Sequence, residues 1–137
     1  MNKSLEIEWN ESNNTNKPSM KIYDSLMDSL LFNGYEKLLL IYFLTHSTME
    51  INTINTTTVS VKKLNESTKI SKPTIYKRIK DLEEKGVLIK EKNISIDNGN
   101  TANTYKILNY TTVWNCKTLE ELKKETDKIK REVLTND

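Results

Sequence analysis

The sequence predicts an α+β domain in which a core of short helices is followed by a β-hairpin and then by one further helix. Three observations carry this expectation. Apolar residues recur at spacings of three and four from Met20 to Thr48 and again from Lys72 to Lys85, the period of helices with a buried face. From Val87 the pattern becomes extended, with β-branched residues at alternate places. Asp97-Asn98-Gly99-Asn100 then separates two such runs, and Asn-Gly in that setting favours the tight turn of a hairpin.

The elements follow in order. Residues 1–19, with Asn10, Asn13, Asn14, Asn16 and Pro18, lack periodicity and read as a flexible N-terminal tail. Ile22, Tyr23, Leu26, Met27, Leu30 and Leu31 mark an amphipathic helix from Met20 to Leu31, which Asn33-Gly34 is expected to stop. A second helix, Tyr35 to Thr48, is apolar nearly all round through Leu38–Leu44 and should be the most buried. Glu50 to Thr58 is rich in Asn and Thr and reads as a loop, with room for a short strand at Thr57-Thr58-Val59. Ser60 caps a short helix from Val61 to Ser67, burying Val61 and Leu64. After the turn Thr68-Lys69-Ile70, Ser71 caps the next helix, and Pro73 occupies its first turn, where a missing N–H costs nothing. That helix buries Ile75, Ile79 and Leu82 and ends at Gly86. Strands follow from Val87 to Ile96 and through Tyr105, Ile107 and Leu108.

A chain of 137 residues fits a single domain with one modest core. No apolar run approaches the ~20 residues of a membrane span. The N-terminus, polar and acidic through Glu6, Glu8 and Glu11, lacks the apolar stretch of a signal peptide. Cys116 is the one cysteine, so no intramolecular disulfide can form. A cytoplasmic protein is expected.

Charge is unevenly placed. The net charge of +2 divides into −3 over residues 1–59, +5 over 60–93 and zero over 94–137. A short segment in which net positive charge is concentrated is what a phosphate-binding face requires.

That segment carries a resemblance. VSVKKLNESTKISKPTIYKRIKDLEEKGVLIKEKN, followed by TANTYKIL, resembles the winged helix-turn-helix domains of bacterial, plasmid and phage replication initiators and transcriptional regulators. The matching signs are Leu64, then Ser71 with Thr74-Ile75, then Leu82-Glu83-x-x-Gly86-x-Leu88, and Tyr105 after an Asn-rich turn. The likeness covers residues 20–109, leaving 110–137 as a C-terminal helical extension. One departure is Lys69, where the family commonly has Gly because the turn takes a positive φ. A side chain there costs ~1 kcal/mol.

What the resemblance implies is double-stranded DNA as partner. The major groove, about 12 Å wide, admits one helix with its side chains. With Ile75, Ile79 and Leu82 turned inward, the 72–85 helix presents Ser71, Lys72, Pro73, Thr74, Tyr76, Lys77 and Lys80 outward, its N-terminus offering free N–H groups to phosphate. Lys62 joins them from the preceding helix, Lys90 and Lys92 from the first strand, and Asn98 and Asn100 from the hairpin tip. Several residues have plainer readings. Arg78 pairs as readily with Glu66 or Asp81 as with DNA, Lys85 reads as a solvated helix end, and Lys63 divides like Lys62 between phosphate and solvent.

Catalytic readings find little support. His46, the sole histidine, lies near the end of the buried second helix. Cys116 has neither a second cysteine nor a histidine near it in sequence, so no zinc site or Cys–His nucleophile is expected. Three dispersed glycines cannot form a phosphate-cradling loop, and Glu83-Glu84 and Glu120-Glu121 sit on helix surfaces. No enzyme activity, cofactor, metal or small-molecule ligand is expected.

Near the C-terminus Thr118 and Glu121 form a capping box. Leu119, Leu122, Thr126, Ile129 and Val133 are spaced three, four, three and four, a short heptad seam. Two arrangements stay open. The seam packs against the first helix of its own domain, or with Trp114 and the first helix it joins two copies; a homodimer is the expected form on DNA. The leading functional expectation is a sequence-specific regulator. The rivals are an accessory protein marking a plasmid or phage origin, partition or transfer site, and a protein-interaction module on the same fold.

Overall fold

The computed structural model describes residues 20–92 and 102–134, with residues 20–23 as backbone. Helix α1 (Met20–Asp28) and α2 (Gly34–Thr45) lead into strand β1 (Thr53–Ser60). Helices α3 (Val61–Thr68) and α4 (Lys72–Glu84) precede strands β2 (Leu88–Lys92) and β3 (Ala102–Asn109). The short helix α5 (Thr111–Trp114) and helix α6 (Leu119–Ile129) follow, and a π-helical turn Lys130–Leu134 continues α6. The fold is α+β, a helical core backed by a three-stranded antiparallel sheet in the order β1-β3-β2.

Helix α2 is the central element, with Leu39, Leu40, Phe43 and Leu44 fully buried. Asn33-Gly34 starts this helix rather than stopping the one before it. The Asn33 side chain accepts from Glu36 N–H at 2.8 Å, and Glu36 Oε1 accepts from Asn33 N–H at 3.0 Å. The pair is a capping box, and the expected left-handed glycine is not required here. Helix α1 accordingly ends at Asp28, and Leu30 lies almost wholly in solvent.

The segment 50–58, expected as a loop, is largely strand. β1 pairs along all eight of its residues with β3, from Thr53 opposite Asn109 to Ser60 opposite Ala102. Its inward residues are Asn55, Thr57 and Val59. Two of the three are polar, which hides the alternation from a hydrophobicity pattern. Their donors are met by the end of α2 and the turn after it: Thr57 Oγ1 donates to the His46 carbonyl, and Asn55 Nδ2 to the Thr48 carbonyl, while Asn55 Oδ1 is buried without a partner among the described residues. Phe43 stacks on Tyr105 of β3 at 4.7 Å between ring centres, locking α2 to the sheet.

The C-terminal helix packs on its own subunit. Leu122 and Thr126 are completely buried and Ile129 nearly so. Thr126 lies against Gly86, whose φ of +92° joins α4 to β2. Trp114 is buried too, its Nε1–H donating to Asn109 Oδ1 at 2.9 Å and its ring meeting Phe32 edge-on. Three of the five residues offered as a dimer seam are therefore core residues of one chain. Burying Leu122 and Ile129 contributes roughly 1.5–3 kcal/mol each to that packing. Leu119 and Val133, 55% and 40% exposed, overhang its two ends. No helix among the described residues is long and apolar enough to cross a membrane.

Candidate nucleic-acid interface

The interface is built from the bend between α3 and α4. Ser60 caps α3, accepting from Lys63 N–H at 3.0 Å. The helix closes at Lys69, which adopts a left-handed backbone at φ 65°. Asn65 holds the bend, its side chain donating to the Ile70 carbonyl at 2.8 Å while its carbonyl accepts from Lys69 N–H at 2.9 Å. Ile70 is buried and pins the turn to the core.

Ser71 occupies the N-cap position of α4 but does not cap through its side chain. Its hydroxyl donates instead to Thr74 Oγ1 at 2.9 Å. Thr74 therefore accepts locally and keeps its own O–H to donate outward. Ile75, Ile79 and Leu82 are buried as expected, so the opposite face of α4 turns to solvent. Ser71, Lys72, Pro73, Tyr76, Lys77 and Lys80 are exposed there and Thr74 is half-buried, while Lys62 is exposed on α3. In β2, Lys90 and Lys92 stand on the face where Leu88 is buried, opposite Tyr105 and Asn103 of β3. Beyond Leu88 that face runs out of core, so Lys90 is half-buried and Lys92 exposed. Asn98 and Asn100 lie outside the described residues.

Two basic residues, Arg78 within α4 and Lys85 at its C-cap, are committed elsewhere. Glu36 on α2 is fully buried, and its carboxylate takes Arg78 at 3.2 Å and Lys85 at 2.7 Å. Arg78 also pairs with Asp81 at 2.8 Å, and Lys85 donates to the Leu31 carbonyl at 2.7 Å and lies over the Phe32 ring. Lys85 is thus a structural cation and not a solvated helix end. Sequence reasoning missed Glu36 as the partner of both, although its place three residues after Asn33 was the available signal. The network fixes α4 to α2, so the outward face has a defined orientation.

Tyr105 and Asn103 link this face to the strands. Asn103 Nδ2 lies 3.4 Å from the Tyr105 hydroxyl. Burial pushes the Tyr105 phenol above its ordinary pKa, the Asn103 bond opposes this, and Tyr76 and Glu83 add to the rise. Asn103 was not among the expected site residues, and only strand register places it beside Lys92.

Residues 32–88 match the model of a protein family described as a helix-turn-helix domain. Over that stretch the chain is similar to a helix-turn-helix domain. The match spans α2 to the start of β2, and the antiparallel β2–β3 pair directly after α4 has the place of a wing, consistent with a winged helix-turn-helix. No curated protein and no solved structure matches the chain.

His46 caps the end of α2, its Nδ1 lying 2.9 Å from the Tyr42 carbonyl and its ring stacked on Tyr42. Cys116 Sγ lies 3.2 Å from the Thr112 carbonyl, and burial beside Glu121 and Glu125 raises its thiol pKa, which disfavours the nucleophilic thiolate. Among the described residues no group of three or more His, Cys, Asp or Glu is placed to hold a metal ion.

Proposed function

We propose that the protein is a sequence-specific regulator that binds double-stranded DNA, reading the major groove with α4 and gripping the flanking backbone with β2 and β3. The observation that carries this reading is the division of cations along α4 and its C-cap. Arg78 and Lys85 are drawn inward to Glu36, whereas Lys72, Lys77 and Lys80 stand exposed without an ion pair among the described residues. A face with unpaired lysines beside the hydroxyl of Thr74 and the ring of Tyr76 suits both phosphates and base edges. The reading assigns the chain no catalytic chemistry. A second copy would bring a second α4 to the next turn of the duplex, and of the expected interface residues Leu119 and Val133 are exposed to meet it.

A gel-shift titration over a salt series tests the reading. About four to six phosphate contacts per subunit should give a slope of ~−0.9 per phosphate in the log–log plot. A protein with no duplex affinity at low salt would overturn it in favour of a protein-interaction module. Selection of bound fragments from random and native DNA separates a promoter from an origin, partition or transfer site.

A further inference from the structure

Lys69 is an anomaly that the fold does not need. Among the described residues other than glycine it shares a positive φ with Asn52 alone, and asparagine tolerates that backbone better than lysine does. The turn is held by Asn65 and by buried Ile70, through backbone groups that any residue at position 69 would present. Glycine would make the same turn without strain. The Lys69 side chain is exposed, and its ammonium has no hydrogen bond or ion pair among the described residues. What lysine adds to this position is a free positive charge held by a strained backbone.

Its place gives that charge a use. Lys69 lies two residues before the N-cap of α4, at the same end of the helix as Lys72 and Thr74. When that end enters a groove, the turn preceding it meets the sugar–phosphate edge rather than the bases. We infer that Lys69 is a phosphate anchor of the DNA interface, its strained conformation retained for the charge it delivers to the duplex backbone. The inference rests on the DNA-binding reading. It adds a contact that fixes where α4 sits along the groove. Strain kept at a position where a cheaper residue would fold better is the pattern of a functional site. The competing account is local: a cation at the C-terminus of α3 is favoured by the helix dipole.

The full-length protein with Lys69→Gly, Lys69→Asn and Lys69→Arg separates the two. Thermal unfolding and affinity for a random-sequence duplex across a potassium chloride series are measured for each. Lys69→Gly and Lys69→Asn should melt at or above the wild-type temperature and yet bind DNA more weakly. Their salt slope should fall by ~0.9, so that their deficit relative to wild type shrinks ~3.5-fold between about 50 and about 200 mM salt. Lys69→Arg should keep the wild-type slope. A glycine variant with an unchanged slope would overturn the inference, and a lowered melting temperature beside that unchanged slope would assign the lysine to the end of α3. A wild-type protein that does not bind duplex at low salt would overturn the DNA-binding reading itself, and this inference with it.

Discussion

Thr126 on the C-terminal helix closes directly over Gly86, at the joint between α4 and β2. A Cβ on Gly86 would overlap Thr126 Oγ1 and lie only 3.0 Å from Thr126 Cβ. The polar break in the apolar stripe of α6 is thus the residue that fits where the backbone of the α4–β2 joint comes closest. Gly86→Ala meets two penalties, a positive φ and this overlap, and should lose about 2–4 kcal/mol. Thr126→Ala in the same chain should recover the steric part, leaving the backbone part. Urea unfolding of the two single variants and the double variant reads the coupling, and strict additivity would mean that the contact carries no energy.

Glu36 is the anchor between α2 and α4. Removing it leaves Arg78 and Lys85 without their shared carboxylate in a partly buried site and also removes the cap on Asn33 N–H. Glu36→Ala should cost about 3 kcal/mol or more in urea unfolding. Arg78→Ala should cost less, because Lys85 still neutralises the carboxylate. A loss below about 1 kcal/mol for Glu36→Ala would show that both cations swing to solvent at no penalty.

Leu122 and Ile129 should behave as core residues. Leu122→Ala and Ile129→Ala are each expected to lose about 2–5 kcal/mol, and the glutamate variants to unfold the domain rather than dissociate it. Leu119→Ala and Val133→Ala should stay within about 0.5 kcal/mol of wild type. Circular dichroism with sedimentation equilibrium decides this. Folded monomers from Leu122→Glu would return the stripe to an intermolecular role.

Within the proposed interface, Thr74→Ala and Lys77→Ala should narrow the difference between a selected site and random duplex. Lys92→Ala should weaken both equally, because a lysine on the flanking strand meets phosphate. Fluorescence anisotropy with the two duplexes measures this, and equal losses on both for all three variants would contradict the division of roles.

Tyr105 sets an alkaline limit. Its folded pKa lies above the ordinary 10.0, chiefly through burial, so the folded state holds this proton more tightly than the unfolded chain does. The contribution is therefore complete below the unfolded pKa and is lost as pH rises through the folded one. Tyr105→Phe should flatten the fall in stability above about pH 10, followed by urea midpoints across that range. An unchanged fall would place its cause in other groups.

Much of this protein is written in short stretches of its sequence. Ser60, the Thr118–Glu121 box, the helix end at Gly86, and the inward Ile75, Ile79 and Leu82 were all legible, because caps, turns and helix faces depend on residues three or four apart, whereas the positive φ at Lys69 was expected only from the family resemblance. The outward face of α4 was legible for the same reason. Tertiary structure decided the rest. Strand β1 exists because β3 lies beside it, some fifty residues along the chain, and because the carbonyls of His46 and Thr48 accept from its inward Thr57 and Asn55. Glu36 meets Arg78 and Lys85 across 42 and 49 residues, and that distance is what removes two cations from the outer face. A heptad stripe states only that one side of α6 is apolar. Whether that side meets a second chain or Gly86 of its own depends on which surface folding brings within reach, a relation that no local spacing encodes.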